Sequence, residues 1–245
     1  MPELYGLIGK KLSHSFSKKF FTEKFEREGL DQCRYELFEL REIDELPALI
    51  SANPYLKGLN VTIPYKEAVQ PFLYKVDDAA LKIGAVNVIK VEAGKLYGYN
   101  SDFYGFKNSL MAWLEGNYKH RALVLGTGGA SRAVVATLES LQIPYRLVSR
   151  QSVSNVLTYE EITPEIISTH HLLINTTPLG MYPNTSTIPQ LPYEAVTPRH
   201  YLYDLVYNPL ETAFLLQGKA HGASTKNGLE MLHLQAEESW RLWHH

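Results

Sequence analysis

The strongest constraint on the fold is a short apolar strand that runs directly into a glycine-rich turn and then a helix. Residues 122–125 read ALVL, GTGG follows at 126–129, and a helical pattern covers 128–142. Glycines there let the backbone approach a pyrophosphate, and the unpaired N–H groups of a helix N-terminus favour an anion. Many tight strand–helix turns use glycine for conformation alone, which is the structural alternative. The position between strand and helix favours the nucleotide-binding interpretation.

Strand and helix patterns alternate on both sides of this segment, and the length of 245 residues allows one large or two small domains. Before residue 101, strand patterns separated by helical ones predict a mainly parallel sheet. From Arg121 a second strand–helix series has the pattern of a nucleotide-binding α/β domain. The predicted strands lie at 4–9, 34–40, 59–63, 86–100 (two strands and a turn), 122–125, 145–150, 172–177 and 201–206.

Composition excludes several classes of protein. The 24 basic and 26 acidic residues are nearly balanced, which argues against a nucleic-acid or an anionic-membrane surface. The single cysteine, Cys33, excludes an internal disulfide and fits a reducing cytoplasm. No run approaches the roughly 18 apolar residues of a membrane-spanning helix. The N-terminal segment is expected to form a first strand rather than a signal peptide.

A second polar segment, GLNVTIPYKE at 58–67, suggests a small-molecule site. Asn60 and Thr62 are two residues apart, so on a strand both project from one face. Lys66 follows just beyond Pro64, where the strand must end. The alternative is a β-turn whose lysine is only solvated.

Eight strings together carry a family resemblance across nearly the whole chain. In order they are HSFS at 14–17, NVTIPYK at 60–66, GAVN at 84–87, YNSDFYGF at 99–106, GTGGAS at 126–131, INTTPLGM at 174–181, YDLVYNP at 203–209 and NGLEMLHLQAE at 227–237. The chain resembles the shikimate dehydrogenase family, oxidoreductases that use NADP to reduce 3-dehydroshikimate to shikimate in chorismate and aromatic amino acid biosynthesis.

The resemblance implies a two-domain α/β organisation. Residues 1–101 and 228–245 would form a substrate-binding catalytic domain, and residues 102–227 a Rossmann-like NADP-binding domain. The last helix would pack back on the first domain. The implied partner is a small-molecule substrate, with no nucleic acid and no membrane. The oligomeric state is left open between a monomer and a homodimer.

The family positions also imply a substrate site. Shikimate carries a carboxylate and three hydroxyls, so its site needs anion donors and groups that both donate and accept. Lys66 and Asp102 match the catalytic pair. The implied carboxylate contacts are Ser15, Ser17 and Tyr207, and the implied ring-hydroxyl contacts are Asn60, Thr62, Asn87 and Gln235.

Each of these residues also has a structural interpretation. Ser15 and Ser17 could cap the following helix. Asn87 could lie in a turn and Asp102 could be the N-cap of the helix near Phe103. Gln235 could be a solvent-facing helix residue.

The predicted cofactor site follows from the glycine turn and from the resemblance. Its residues are Gly126, Gly128, Gly129, Ala130, Ser131, Ser149, Arg150, Thr176, Leu205 and Gly228. The second strand ends in Ser149 and Arg150, without the acidic residue that usually holds the ribose of NAD. An arginine there suits the 2′-phosphate of NADP. A solvated strand-end residue is the alternative for Arg150.

Three departures from the family pattern bear on function. Ser154 stands where a second phosphate-binding arginine is usual, so the preference for NADP is expected to be weaker. Lys18 replaces a proline and Glu230 replaces a glycine near the nicotinamide. The histidines show no ligand spacing, so no metal is expected.

The alternatives are a quinate/shikimate dehydrogenase paralogue that uses NAD and a non-catalytic shikimate-binding paralogue. The presence of both Lys66 and Asp102 argues against the binder.

Overall fold

The computed structural model describes residues 2–12 and 15–245, so His14 of the HSFS string lies outside the described residues. The described chain divides into two compact units, one up to Tyr104 together with Gln235–His245, and one at Gly105–Leu234. The predicted division differs at the last helix, whose first turns belong to the second unit. Met231 packs against that unit's core, which explains the difference.

The first unit alternates strands and helices up to its last strand pair. Its elements are β1 (Glu3–Gly9), α1 (Phe16–Glu28), β2 (Cys33–Glu39), α2 (Leu46–Ala52), β3 (Leu56–Val61), α3 (Tyr65–Ala68), β4 (Lys75–Val76), α4 (Asp78–Ile83), β5 (Val88–Glu92), β6 (Lys95–Tyr99), the first turn of α5 (Ser101–Leu114) and the later turns of α9 (Leu229–His244). Gly29 ends α1 with φ of 66°, the left-handed conformation that suits glycine.

The strands of this unit form one sheet in the order β2-β1-β3-β5-β6-β4. The pairs β1–β2, β1–β3 and β4–β6 are parallel, as expected for strands joined by helices. The pairs β3–β5 and β5–β6 are antiparallel. A turn at Ala93 and Gly94 joins β5 directly to β6, which explains the direction of that pair. The sheet is therefore mixed, with its parallel half formed by β1, β2 and β3.

The last helix adds two tryptophans, Trp240 and Trp243, to the aromatic core of the first unit, which confirms its predicted packing. The Trp243 ring lies 4.8 Å from that of Tyr5, and its indole N–H donates to the carbonyl of Ile89 at 3.1 Å. A Cβ on Gly58 would lie 2.3 Å from the Trp243 ring, so β3 needs glycine there for the helix to approach. This packing fixes α9 against the strand that leads to Lys66.

The second unit is a parallel α/β unit. It contains β7 (Ala122–Leu125), α6 (Gly129–Ser140), β8 (Tyr145–Ser149), β9 (Val156–Thr158), α7 (Pro164–Thr169), β10 (Leu172–Asn175), β11 (Tyr201–Asp204), α8 (Ala213–Ala220) and β12 (Ser224–Lys226), with most of α5 and the start of α9. The strand order is β12-β11-β10-β7-β8-β9, and every adjacent pair is parallel. The predicted Rossmann-like sheet is confirmed.

Across residues 2–12 and 15–245, no helix combines the length and apolar character needed to cross a membrane.

Three histidines gather at the N-terminal ends of the parallel strands. The ring of His171 lies 6.4 Å from that of His120 and 5.1 Å from that of His200. Burial lowers the pKa of His120, and the charge of His171 lowers it further. Burial also lowers the pKa of His171, as do the charges of His200 and Arg199. Burial and the neighbouring positive charges therefore favour the neutral form of both rings.

The histidines at this edge should make the fold acid-sensitive. Because the pKa of His120 is lower folded than unfolded, the unfolded chain binds more protons as pH falls below about 6.5, and stability is lost there. We expect the urea midpoint of the wild type to fall between pH 7.5 and 5.5, and His120→Gln to flatten this slope. An unchanged slope in the variant, whatever its absolute stability, would exclude His120 as a cause.

Candidate active site

An ion pair between Lys66 and Asp102 lies at the centre of the predicted substrate site in the first unit. Lys66 is in α3, which begins directly after the chain leaves β3 and turns at Pro64, and Asp102 is in the first turn of α5. Lysine Nζ lies 2.6 Å from the Asp102 carboxylate, and the two side chains are 26% and 17% exposed. A half-buried ammonium can donate to a substrate hydroxyl, and the carboxylate that holds it can accept from one. The solvated-turn interpretation of Lys66 is wrong.

Asn87 fixes the start of α5. Its side-chain carbonyl accepts from the backbone N–H of Ser101 at 2.7 Å, and its amide donates to the Ser101 hydroxyl at 3.1 Å. The amide also lies 3.4 Å from the side-chain oxygen of Gln235. Asn100, whose side chain accepts from the N–H of Phe103, provides the cap that the sequence alternative assigned to Asp102. The Asp102 carboxylate is therefore left for Lys66.

Asn60 is buried in a polar network inside the same unit. Its oxygen accepts from the Tyr35 hydroxyl at 2.8 Å, and its amide donates to the Ser239 hydroxyl at 2.9 Å. Ser239 also contacts the Ser101 hydroxyl at 3.2 Å. This network joins β2, β3, α5 and α9. Sequence reasoning missed Ser239, and its position one turn after Gln235 was the only signal.

Gln235 lies at the edge of this network, and Thr62 directly follows β3, the strand that contains Asn60. Thr62 is half-buried directly after β3, where its backbone N–H donates to the carbonyl of Ile8 at 3.0 Å. Gln235 is half-buried on α9 and faces Asn87, so its solvent-facing interpretation is wrong. The first unit thus brings Asn60, Asn87, Gln235, Lys66 and Asp102 onto connected elements.

Ser15 and Ser17 have different surroundings. Ser15 is the N-cap of α1, where its hydroxyl accepts from the N–H of Lys18 at 3.2 Å. Ser17 lies in the first turn beside Tyr35: burial raises the pKa of that tyrosine, and a hydrogen bond with Ser17 partly offsets the rise. Lys18, which replaces the family proline, pairs with Glu36 at 2.8 Å and so has a partner on β2.

Single substitutions should separate these two serines. Ser15→Ala should lower the free energy of unfolding by about 0.5–2 kcal/mol, the usual cost of losing an N-cap. Ser17→Ala should instead raise the KM for the carboxylate substrate that the resemblance implies by about 10- to 150-fold, the equivalent of one hydrogen bond to a carboxylate. Urea unfolding and initial rates measure the two effects. A Ser17→Ala enzyme with a normal KM would place the carboxylate elsewhere.

A cavity of about 670 Å³ opens at the C-terminal ends of the second unit's strands. The loops after β7, β8 and β10 line this cavity. The strand order reverses between the neighbouring strands β7 and β10. Dinucleotides bind at such a reversal point in open parallel sheets. Its lining residues are Gly126, Thr127, Gly128, Ser149, Arg150, Gln151, Tyr159, Thr176, Thr177, Pro178 and Leu179. The volume is in the usual range for a cofactor site.

The glycine turn fits a pyrophosphate. Gly126 has φ of 110°, and a Cβ there would lie 2.7 Å from the Thr176 hydroxyl oxygen. Around Gly128 and Gly129 an added Cβ would meet no heavy atom of the described residues within 4 Å, so the backbone at the start of α6 borders open space. Ser131 closes the turn by donating to the carbonyl of Gly128 at 2.6 Å. Ala130 lies in the first turn of α6. The residues present therefore fit a dinucleotide.

Arg150 directly follows β8, and its exposed side chain lines this cavity. The Ser149 hydroxyl accepts from the N–H of Gln151 at 3.1 Å and so shapes the turn that carries the arginine.

Leu205 and Gly228 meet elsewhere along the same strand edge, where a Cβ on Gly228 would lie 2.1 Å from the Leu205 carbonyl oxygen. That close approach requires glycine.

Glu230 has partners inside the second unit that a glycine would lack. The Ser109 hydroxyl donates to its carboxylate at 2.7 Å, and Lys226 forms an ion pair with it. A hydrogen bond from Lys226, opposed by partial burial, lowers the pKa of this carboxyl. The substitution ties α9 to α5 and β12.

The ends of β10 and β11 are joined by a buried carboxylate that sequence reasoning missed. Asp204 accepts from the amide of Asn175 at 2.9 Å and from the Thr212 hydroxyl at 2.5 Å. Burial raises the pKa of Asp204 to about 6, although these hydrogen bonds oppose the rise. Tyr207 follows on the same loop and is half-buried, which raises its pKa.

Together these features define a class of protein. A parallel α/β unit with a dinucleotide cavity, and a second α/β unit with a lysine–aspartate pair among buried amides, are the parts of a dinucleotide-dependent dehydrogenase.

Comparison with known proteins defines the family. Residues 7–89 match the shikimate dehydrogenase substrate binding domain. The NADP(+) shikimate dehydrogenase of Clostridium beijerinckii is 43% identical over 98% of this chain and 92% of its own. The chorismate mutase/shikimate 5-dehydrogenase fusion protein of Clostridium acetobutylicum is 35% identical, with a TM-score of 0.89 over 100% of this chain and 91% of the other. The Thermus thermophilus shikimate 5-dehydrogenase, crystallised with NADP(H) and shikimate, is 32% identical, with a TM-score of 0.86 over 98% and 93%. This chain belongs to the shikimate dehydrogenase family.

Proposed function

We propose that this protein is an NADP-dependent oxidoreductase that interconverts 3-dehydroshikimate and shikimate in chorismate and aromatic amino acid biosynthesis. The ion pair of Lys66 and Asp102 is the observation that carries the proposal. A binding protein needs hydrogen-bonding groups for its ligand, but a dehydrogenase must also move a proton to or from one substrate oxygen. A partly buried ammonium beside a carboxylate provides for that transfer.

Lys66 is assigned the proton transfer. In the direction of reduction, Nζ gives a proton to the substrate oxygen; in the direction of oxidation, it takes the proton from the hydroxyl. NADP, when bound, supplies the hydride in one direction and accepts it in the other. Asp102 orients Nζ, compensates its charge and accepts a hydrogen bond from a neighbouring substrate hydroxyl.

The remaining polar groups orient the substrate. Ser17, Thr62, Asn87 and Gln235 are assigned contacts to the carboxylate and ring hydroxyls in the first unit, with Asn60 and Ser15 supporting them from within. Tyr207 is assigned a contact to the substrate carboxylate. Burial keeps Tyr207 protonated at neutral pH, so its hydroxyl can donate to an anion.

The proposed function is tested by measuring initial rates with shikimate and with quinate, each with NADP and NAD. The expected result is the highest kcat/KM with shikimate and NADP. A protein that binds shikimate but forms no reduced cofactor with either nucleotide would instead be a binding paralogue.

The single arginine after β8 also fits a second function, that of a dehydrogenase that uses NAD. Arg150 is the only basic residue from Leu147 to Ser154, so a single side chain in this segment is available for the 2′-phosphate. A quinate/shikimate dehydrogenase that accepts NAD fits that composition, and a higher kcat/KM with quinate and NAD would select it.

The single cysteine, Cys33, supports a location in a reducing cytoplasm.

A further inference from the structure

The Arg150 end of the cofactor cavity contains a buried hydroxyl that the catalytic assignment does not use. Tyr159 lies in the short turn Tyr159–Glu161 that follows β9, and it lines the cavity together with Arg150 and Gln151. Its hydroxyl is enclosed and has no hydrogen-bond partner in the described parts of the chain. Buried hydroxyls in native proteins are nearly always paired, so an orphaned one marks a place where a partner is missing.

The tyrosine is held in place from both sides. Its ring packs against the core cluster that includes Leu157 and Ile162. The turn that carries it is closed by a capping box, in which Glu161 accepts from the Thr158 N–H at 2.7 Å and from the Thr158 hydroxyl at 3.1 Å. A phenol fixed in this way loses little further conformational entropy when its hydroxyl binds a ligand.

The electrostatic surroundings suit a donor to an anion. Burial raises the pKa of Tyr159, while the nearby charge of Arg150 lowers it. The phenol therefore stays protonated at neutral pH and can donate. Arg150 and Gln151 are exposed, and their long side chains can reorient when an anion arrives.

We propose that Tyr159 is a specificity-determining residue of the cofactor site, whose hydroxyl donates to the adenosine 2′-phosphate beside Arg150. It supplies the second contact that Ser154 does not, and it accounts for a selective NADP site with a single arginine. This inference rests on the proposed use of NADP. The acceptor is the phosphate because it brings the additional oxygens that distinguish NADP from NAD, at the end of the cavity where Arg150 lies.

The test is direct binding of 2′,5′-ADP and of 5′-ADP, measured by calorimetry on the whole chain without substrate. Tyr159→Phe should weaken 2′,5′-ADP by about 10-fold or more and leave 5′-ADP unchanged, as expected for one hydrogen bond to a charged group. The melting temperature of the ligand-free variant should be equal to or above that of the wild type, because the variant removes a buried hydroxyl that has no partner.

Tyr193→Phe is the matched control. Tyr193 is a tyrosine of the same unit whose hydroxyl donates to the carbonyl of Pro189 at 2.8 Å, and it is not among the residues that line the cavity. Its variant should melt at a lower temperature and bind both nucleotides as the wild type does.

Other outcomes overturn the inference. Unchanged binding of 2′,5′-ADP by Tyr159→Phe would show that the hydroxyl does not reach the phosphate. Equal losses for the two nucleotides would place it on the ribose or adenine. A wild type that binds the two nucleotides equally would overturn the proposed cofactor and this inference with it, whereas a wild type that prefers 2′,5′-ADP alongside an unaffected variant overturns the inference alone.

Discussion

Replacement of Lys66 by alanine should lower kcat by about 10²–10⁴, the range for losing a positioned acid or base, and change the affinity for shikimate much less. The reason is the proposed proton transfer by its Nζ, which the 2.6 Å contact with Asp102 holds in position. The measurement is the full rate curve at neutral pH, with shikimate affinity determined separately by calorimetry.

Lys57→Ala is the matched control for this experiment. Lys57 lies on β3, the strand that leads towards Lys66, and its side chain is exposed. Its removal should leave kcat and KM unchanged. Retention of more than a tenth of normal kcat by Lys66→Ala, with a folded protein by circular dichroism, would remove Lys66 from the proton transfer.

Replacement of Arg150 by alanine should raise the KM for NADP by about 10- to 150-fold and leave the KM for NAD almost unchanged. The estimate corresponds to one charge-assisted contact with the 2′-phosphate, at about 1.5–3 kcal/mol. NAD lacks that phosphate, and no other basic residue between Leu147 and Ser154 can replace the arginine. The KM values for both cofactors, in wild type and variant, measure the effect.

Arg146→Ala provides a control from the same strand, since Arg146 is also exposed but does not line the cavity. It should change neither KM. Equal increases for NADP and NAD in Arg150→Ala would mean that the arginine acts on the fold or on the adenine, and that cofactor choice is set elsewhere.

The structure adds neighbouring residues that bear on two sequence predictions, one about Arg150 and one about Glu230. The missing second arginine predicts a weaker preference for NADP, and this stays a prediction. The proposed contact from Tyr159, at the same end of the cavity, predicts a stronger preference. Its position in a turn after a three-residue strand gave no local signal. Glu230 raised a question about cofactor geometry, and its bonds to Ser109 and Lys226 show a carboxylate with structural partners.

The polar network around Asn60 shows why sequence reasoning reaches only part of a site. The segment NVTIPYK identified Asn60 and Lys66 by their place at a strand end. Ser239 is 179 positions from Asn60, and no local pattern connects a serine in the last helix with an asparagine in β3. The packing of Trp243 against Gly58 helps to bring α9 to that strand.

The sequence by itself determined the α/β class and the glycine turn at 126–129, because strand period, helix period and turn glycines are encoded in neighbouring residues. The candidate pair of Lys66 and Asp102 came from the family resemblance of the strings that contain them. Tertiary structure decided which candidates meet. It paired Lys66 with Asp102 across 36 positions, placed Ser15 at the N-cap of α1, and left the Tyr159 hydroxyl buried without a partner among the described residues. Those outcomes depend on strand order and long-range packing, which fix distances that no local pattern encodes.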